Sequence, residues 1–192
     1  MGGPEGPSFL RRSGRTATIS PVISSTDRIF LVGPMGAGKT TVGKRLARAL
    51  RRPFLDCDVE LVRRTGASIP LIFELESESG FRAREKRLVA ELTLEPDVVL
   101  ATGGGAVIDP DNRRVLAERG LVVYLHAPIP LLVARTRHDH TRPLLQSEDR
   151  AARLSELMEQ REGFYREIAD VIIDTSTKTL GDVVQTIRRQ VR

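Results

Sequence analysis

Ile29-Phe30-Leu31-Val32-Gly33-Pro34-Met35-Gly36-Ala37-Gly38-Lys39-Thr40-Thr41 is the stretch on which the fold turns. Four apolar residues with no polar break read as a strand buried on both faces. Gly33 to Thr40 then fit the pattern G-x-x-x-x-G-K-[ST] in full. An amphipathic run follows, with Val42, Leu46, Ala49 and Leu50 on one face. Strand, glycine-rich loop and helix, in that order, are the context in which this pattern binds phosphate. Bare glycines let backbone N–H groups wrap an anion, and the helix start adds partial positive charge. Gly36, Ala37, Gly38, Lys39, Thr40 and Thr41 are therefore the candidate nucleotide contacts. Lys39 is expected to reach the β- and γ-phosphates and to act in catalysis, and Thr40 to offer its hydroxyl to Mg²⁺. The loop alone does not separate a kinase from a GTPase or a nucleotide sensor.

Further along, short apolar runs alternate with longer amphipathic ones. Phe54–Cys57, Val98–Ala101, Val122–Leu125 and Val171–Asp174 read as four more strands. Between them lie helical patterns. One contains Leu88 and Leu92 and is closed by Pro96; another carries Leu154, Leu157, Met158 and Arg161 on one face. Alternation of this kind predicts an α/β layer built on a parallel sheet with right-handed crossovers. No internal repeat is present.

The second strand ends in Asp56-Cys57-Asp58. Side chains alternate along a strand, so Asp56 and Asp58 are expected on one face and Cys57 on the other. Ligands of open parallel sheets bind beyond the carboxyl ends of the strands. Two carboxylates there call for a cation or a hydroxyl ligand opposite them. One suits the Mg²⁺ shell, and the other suits the proton or hydrogen bond of an attacking hydroxyl. The plainer reading is that both cap the helix expected over 59–64.

Composition bounds the rest. The 192 residues suit one domain, and 40% hydrophobic with 29% charged is ordinary for a soluble protein. The net charge is +5, and the first 26 residues hold a surplus of two positive charges: Arg11, Arg12 and Arg15 against Glu5. The remaining +3 is too mild for a nucleic-acid footprint but suits a cleft for ATP. Cys57, the only cysteine, fits a reducing, cytoplasmic setting and reads as a buried small residue. No apolar run approaches a membrane span. Residues 1–26 read as a disordered extension, because they lack hydrophobic periodicity. They have no apolar core of a secretory signal; their Arg and Ser leave an organelle transit peptide open. A monomer is expected, with residues 27–192 forming one domain.

Together with motifs further along the chain, these residues resemble shikimate kinase. The resemblance rests on Asp56-x-Asp58, Arg64-Thr65-Gly66, Ile72-Phe73-Glu74, Phe81-Arg82-x-x-Glu85, Thr102-Gly103-Gly104-Gly105, Arg142-Pro143-Leu144-Leu145 and Arg161 with Tyr165. It implies a P-loop kinase fold related to nucleoside monophosphate kinases, with a five-stranded sheet in the order 2-3-1-4-5. It also implies a substrate-binding segment over about 58–92 and a lid over about 135–148. The reaction implied is ATP plus shikimate giving ADP plus shikimate 3-phosphate, within aromatic amino acid biosynthesis. By resemblance, Asp58 binds substrate hydroxyls near the attacking oxygen and is the candidate base. Arg82 and Arg161 clamp the carboxylate, and Gly103, Gly104 and Gly105 approach the substrate, the last two through backbone N–H groups. Asp56 supports Mg²⁺, Arg142 closes with the lid onto the phosphates, and Arg135 flanks the adenine. The physics agrees: a guanidinium grips a carboxylate through paired N–H bonds, and a closing lid keeps water from competing as acceptor.

Plainer readings stand beside each. Arg82 and Glu85 suit an i,i+3 surface pair, the glycine triplet a simple turn, Arg161 a solvated helix position, and Arg135, Arg137 and Arg142 a basic loop. His138, Asp139 and His140 make a poor metal set without a distant partner. Two stretches depart from the family pattern. Ser77 stands where it usually has Gly, and Gly163-Phe164 stand where it often has Pro-Leu. The alternatives are a gluconate kinase of the same fold and a non-catalytic nucleotide-binding relative.

Overall fold

The structure is a computed structural model and describes residues 27–137, 139, 143–145 and 149–191. Five strands form one parallel sheet: β1 (Ile29–Val32), β2 (Phe54–Asp56), β3 (Val99–Ala101), β4 (Leu121–His126) and β5 (Val171–Asp174). Their order is β2-β3-β1-β4-β5, the doubly wound order expected. All four β1 side chains are fully buried, which explains the unbroken apolar run. β5 lies at the edge, and its Ile172 is half exposed.

Among the described residues, seven α-helices pack around the sheet: α1 (Lys39–Leu50), α2 (Cys57–Thr65), α3 (Ile69–Leu92), α4 (Pro110–Arg119), α5 (Ile129–Thr136), α6 (Arg150–Ile168) and α7 (Leu180–Arg188). α1 buries Val42, Gly43, Leu46 and Ala47. Ala49 is exposed and Leu50 only partly buried, so the apolar face lies nearer residues 43 and 47 than the sequence pattern indicates. Gly43 explains the shift, because a Cβ there would collide with the Phe54 ring. α6 buries Leu154, Leu157, Met158, Arg161, Tyr165 and Ile168, a continuous i, i+3, i+4 stripe containing one charge.

Two elements depart from expectation. β2 stops at Asp56, and Cys57 opens α2 rather than closing the strand. α3 is two helices joined at Ser77, whose φ of 62° and ψ of −180° break the helical run. The break folds the first half back, so that the Phe73 and Phe81 rings lie 4.8 Å apart. Among the described residues, no helix is long and apolar enough to cross a membrane.

Candidate active site

Two cavities open beyond the carboxyl ends of the strands. One, of about 440 Å³, is lined by the loop residues Gly36 to Thr41 together with Arg135 and Thr175. The other, of about 670 Å³, is lined by Asp58, Arg82, Glu85, Gly103 to Gly105 and Arg161. Thr40, Asp56 and Asp58 line both, so the two meet at that wall.

The loop cavity is a backbone device. Gly38 takes φ 94° at the N-cap of α1, a left-handed conformation that bare glycine adopts freely. Lys39 is buried, and its Nζ donates to the carbonyls of Gly33 at 2.7 Å and Pro34 at 2.9 Å. Arg135 ties the loop to the end of β5: Nη1 donates to Gly36 O at 3.2 Å and Thr175 Oγ1 at 3.1 Å. Thr175 and Lys178 also line this cavity, and the motif reading missed both. Thr175 directly follows β5, so the rule that ligands sit beyond strand ends was the signal that could have found it.

The wall between the cavities corrects the strand argument. Asp58 does not alternate with Asp56 on a strand; it stands in the first turn of α2, and Asp56 is that helix's N-cap. Asp56 Oδ1 accepts from the backbone N–H of Asp58 at 3.0 Å, while Oδ2 accepts from Thr40 Oγ1 at 2.7 Å. A short polar side chain that caps a helix ends the strand before it, which stops the period-two pattern at Asp56. The capping reading holds for Asp56, and both acids still face the same space. Cys57 between them is buried; burial, with the charges of Asp58, Glu85 and Asp56, pushes its thiol well up. Such a thiol is inert.

The larger cavity is a charge device. Arg82 Nη1 donates to Glu85 Oε2 at 2.6 Å, and its Nε and Nη2 donate to Glu78 Oε1 at 3.2 and 2.9 Å. Burial alone would pull this guanidinium down, but the two glutamates outweigh it and its pKa is raised. The i,i+3 pair is thus real but not superficial, because the Glu85 side chain is only 3% exposed. Burial raises the Glu85 pKa against the pull of Arg82, and among the described residues its Oε1 has no hydrogen-bond partner. Arg161 is 4% exposed, so the solvated-helix reading fails. Burial, then repulsion from Arg82, lowers its pKa. Its Nη1 lies 3.5 Å from Gly104 O, and Tyr165, one turn later, donates its hydroxyl to the same carbonyl. The glycine triplet lets these groups approach: a Cβ at Gly103 would collide with Glu85 Oε1, and one at Gly105 with the Arg82 guanidinium.

Pro143 and Leu144, within the expected lid, line the larger cavity. Arg142, His138 and His140 lie outside the described residues. Among the described residues no cluster of His, Cys, Asp and Glu has the make-up of a metal site.

The family pattern described as shikimate kinase matches residues 35–192. The chain belongs to the shikimate kinase family. The shikimate kinase of Dechloromonas aromatica is 54% identical over 162 residues, 84% of this chain and 88% of that protein. That of Halorhodospira halophila is 56% identical over 149 residues, 78% of this chain and 84% of that protein. The solved structure of shikimate kinase from Acinetobacter baumannii in complex with shikimate is 50% identical, with a TM-score of 0.83 over 85% of this chain and 92% of that one. As a shikimate kinase family member, the chain is an ATP-dependent kinase that phosphorylates a hydroxyl of shikimate. The gluconate kinase and non-catalytic readings are set aside by these matches.

Proposed function

We propose that the chain transfers the γ-phosphate of ATP to the 3-hydroxyl of shikimate, with the nucleotide in the smaller cavity and the acid in the larger one. The observation that carries this division is the shared wall of Thr40, Asp56 and Asp58 between them. A phosphoryl group passing from one ligand to the other must cross there.

The residues then take distinct tasks. Backbone N–H groups of Gly36 to Thr41 hold the phosphates, and Lys39 leaves the loop carbonyls to follow the charge that moves. Arg82 and Arg161, from separate helices, grip the carboxylate and fix the ring. Asp58 accepts the hydrogen bond of the attacking hydroxyl and takes its proton. Gly104 and Gly105 admit the ring against the backbone, and Arg135 flanks the base. The oxygens of Thr40 and Asp56, paired at 2.7 Å beside the phosphate loop, are the hard donors that suit Mg²⁺. That ion, when bound, would neutralise charge on the phosphates. Shape, charge and exclusion of water carry most of the catalysis, because phosphoryl transfer asks for little covalent help.

A coupled ADP-release assay with Mg-ATP and shikimate, gluconate and nucleoside monophosphates tests the reading. Turnover is expected with shikimate alone, and a phosphorus spectrum of the product places the phosphate on the 3-oxygen. Turnover with another acceptor and none with shikimate would overturn the assignment.

A further inference from the structure

The two arginines that line the larger cavity are held by different means. Arg82 is fixed by its bonds to Glu85 and Glu78. Arg161 has no such grip. Among the described residues its buried Nε has no hydrogen-bond partner, and Nη1 reaches Gly104 O at 3.5 Å, the outer limit of a hydrogen bond. The like charge of Arg82 also pushes against it.

One peptide lies between the two cations. Gly104 O faces Arg161 on α6, while a Cβ on Gly105 would collide with the Arg82 guanidinium on α3. The Gly104–Gly105 peptide is planar, so its carbonyl and the Cα of Gly105 move together. Where that plane sits therefore sets how far apart the guanidinium groups stand. Neither glycine has a side chain that could hold it.

The holder is Tyr165. Its hydroxyl donates to Gly104 O, and its side chain is buried. Its ring stacks on that of Tyr124, with centroids 5.0 Å apart and planes 21° from parallel. Tyr124 is fully buried in β4, the neighbour of the central strand β1. The anchor thus runs from the sheet through two rings to one carbonyl. Tyr165 packs behind the cavity wall with Pro34, Met35 and Arg161, so it works through its neighbours and not on the ligand.

We infer that Tyr165 is a positioning residue for the acid: its hydroxyl pins the Gly104 carbonyl, and that peptide sets the spacing at which Arg82 and Arg161 grip a carboxylate. This rests on the assignment of both arginines to the substrate carboxylate.

The test is calorimetric titration of shikimate, and separately of ATP, into the full chain and its Tyr165→Phe, Arg161→Ala and doubly substituted variants. Thermal melts of each establish that it folds. Tyr165→Phe keeps the ring and its stack and removes the hydroxyl. It is expected to weaken shikimate binding about five- to tenfold, the worth of one buried hydrogen bond, and to leave ATP binding unchanged. Beside Arg161→Ala the clamp has one arm and no spacing to set, so Tyr165→Phe should bring no further loss. A loss shared equally by ATP, or one that persists in full beside Arg161→Ala, would show a general loosening of the cavity and overturn the positioning role. Native shikimate affinity in Tyr165→Phe, with Arg161→Ala still harmful, would also overturn it and leave the clamp standing. Native affinity in Arg161→Ala would remove the clamp and its positioning together.

Discussion

The two cavities are built on opposite plans. The smaller cavity, the proposed nucleotide site, centres on one unbroken stretch, Gly36 to Thr41, which offers backbone amides and one lysine and is completed by Asp56, Arg135, Thr175 and Lys178 from elsewhere in the chain. The larger cavity, the proposed acid site, draws Asp58, Arg82, Gly103 to Gly105 and Arg161 from four separate segments, and its Arg82 and Glu85 side chains hold one another. The first is shaped by local backbone geometry. The second is a balance of ion pairs, and balances can be tipped by single substitutions.

The largest break in this contrast is expected from Lys39→Met. It should lower kcat by about a thousandfold or more, because the cation that follows the moving phosphate is lost. The helix beginning there should persist, so circular dichroism should be native while coupled-assay turnover vanishes. Near-normal turnover would remove the loop from the chemistry. Arg161→Ala should cost about 1.5–3 kcal/mol in shikimate binding, the loss of one arm of a carboxylate clamp. ATP affinity measured without shikimate should stay within error; an equal loss for both ligands would erase the division between the cavities.

Gly105→Ala sharpens the comparison more gently. The new methyl meets the Arg82 guanidinium, the far end of a flexible side chain, which can move aside. The shikimate KM should therefore rise about tenfold, equivalent to about 1.4 kcal/mol of misplaced contact, with little change in the ATP KM or the melting temperature. The smallest effect is expected from Ser77→Gly. Ser77 holds φ 62° with ψ −180°, a region essentially reserved for glycine. Relief of that strain outweighs the looser glycine backbone and should raise stability by about 1 kcal/mol in a urea titration. Lower stability would show that the serine hydroxyl, which meets Ser79 Oγ at 2.8 Å, outweighs the strain.

The same contrast explains what could be read in advance. β1, the loop and α1 are legible because each is a local pattern, and their order alone fixes the core of the sheet. Asp58 was placed on the right side of the molecule for the wrong reason. The period-two argument ran past Asp56, whose capping bonds become evident only once α2 is seen to start at Cys57. The burial of Arg161 and the hold of Glu78 on Arg82 were not legible from composition or spacing. Both depend on residues brought together across the fold, and the second depends on a backbone break at a serine that no propensity announces. Family resemblance supplied Arg82 and Arg161 where local physics had no pattern to work on.

Asp56 closes the first turn of α2 with one oxygen and grips the hydroxyl at the start of α1 with the other. Under the proposed function, architecture and chemistry therefore share a single side chain. Alanine at that position would fray a helix and strip the proposed ion's ligand in one stroke, and the resulting inactivity would say nothing about either. Asparagine, which still caps but carries no charge, is the exchange through which the two duties can be told apart.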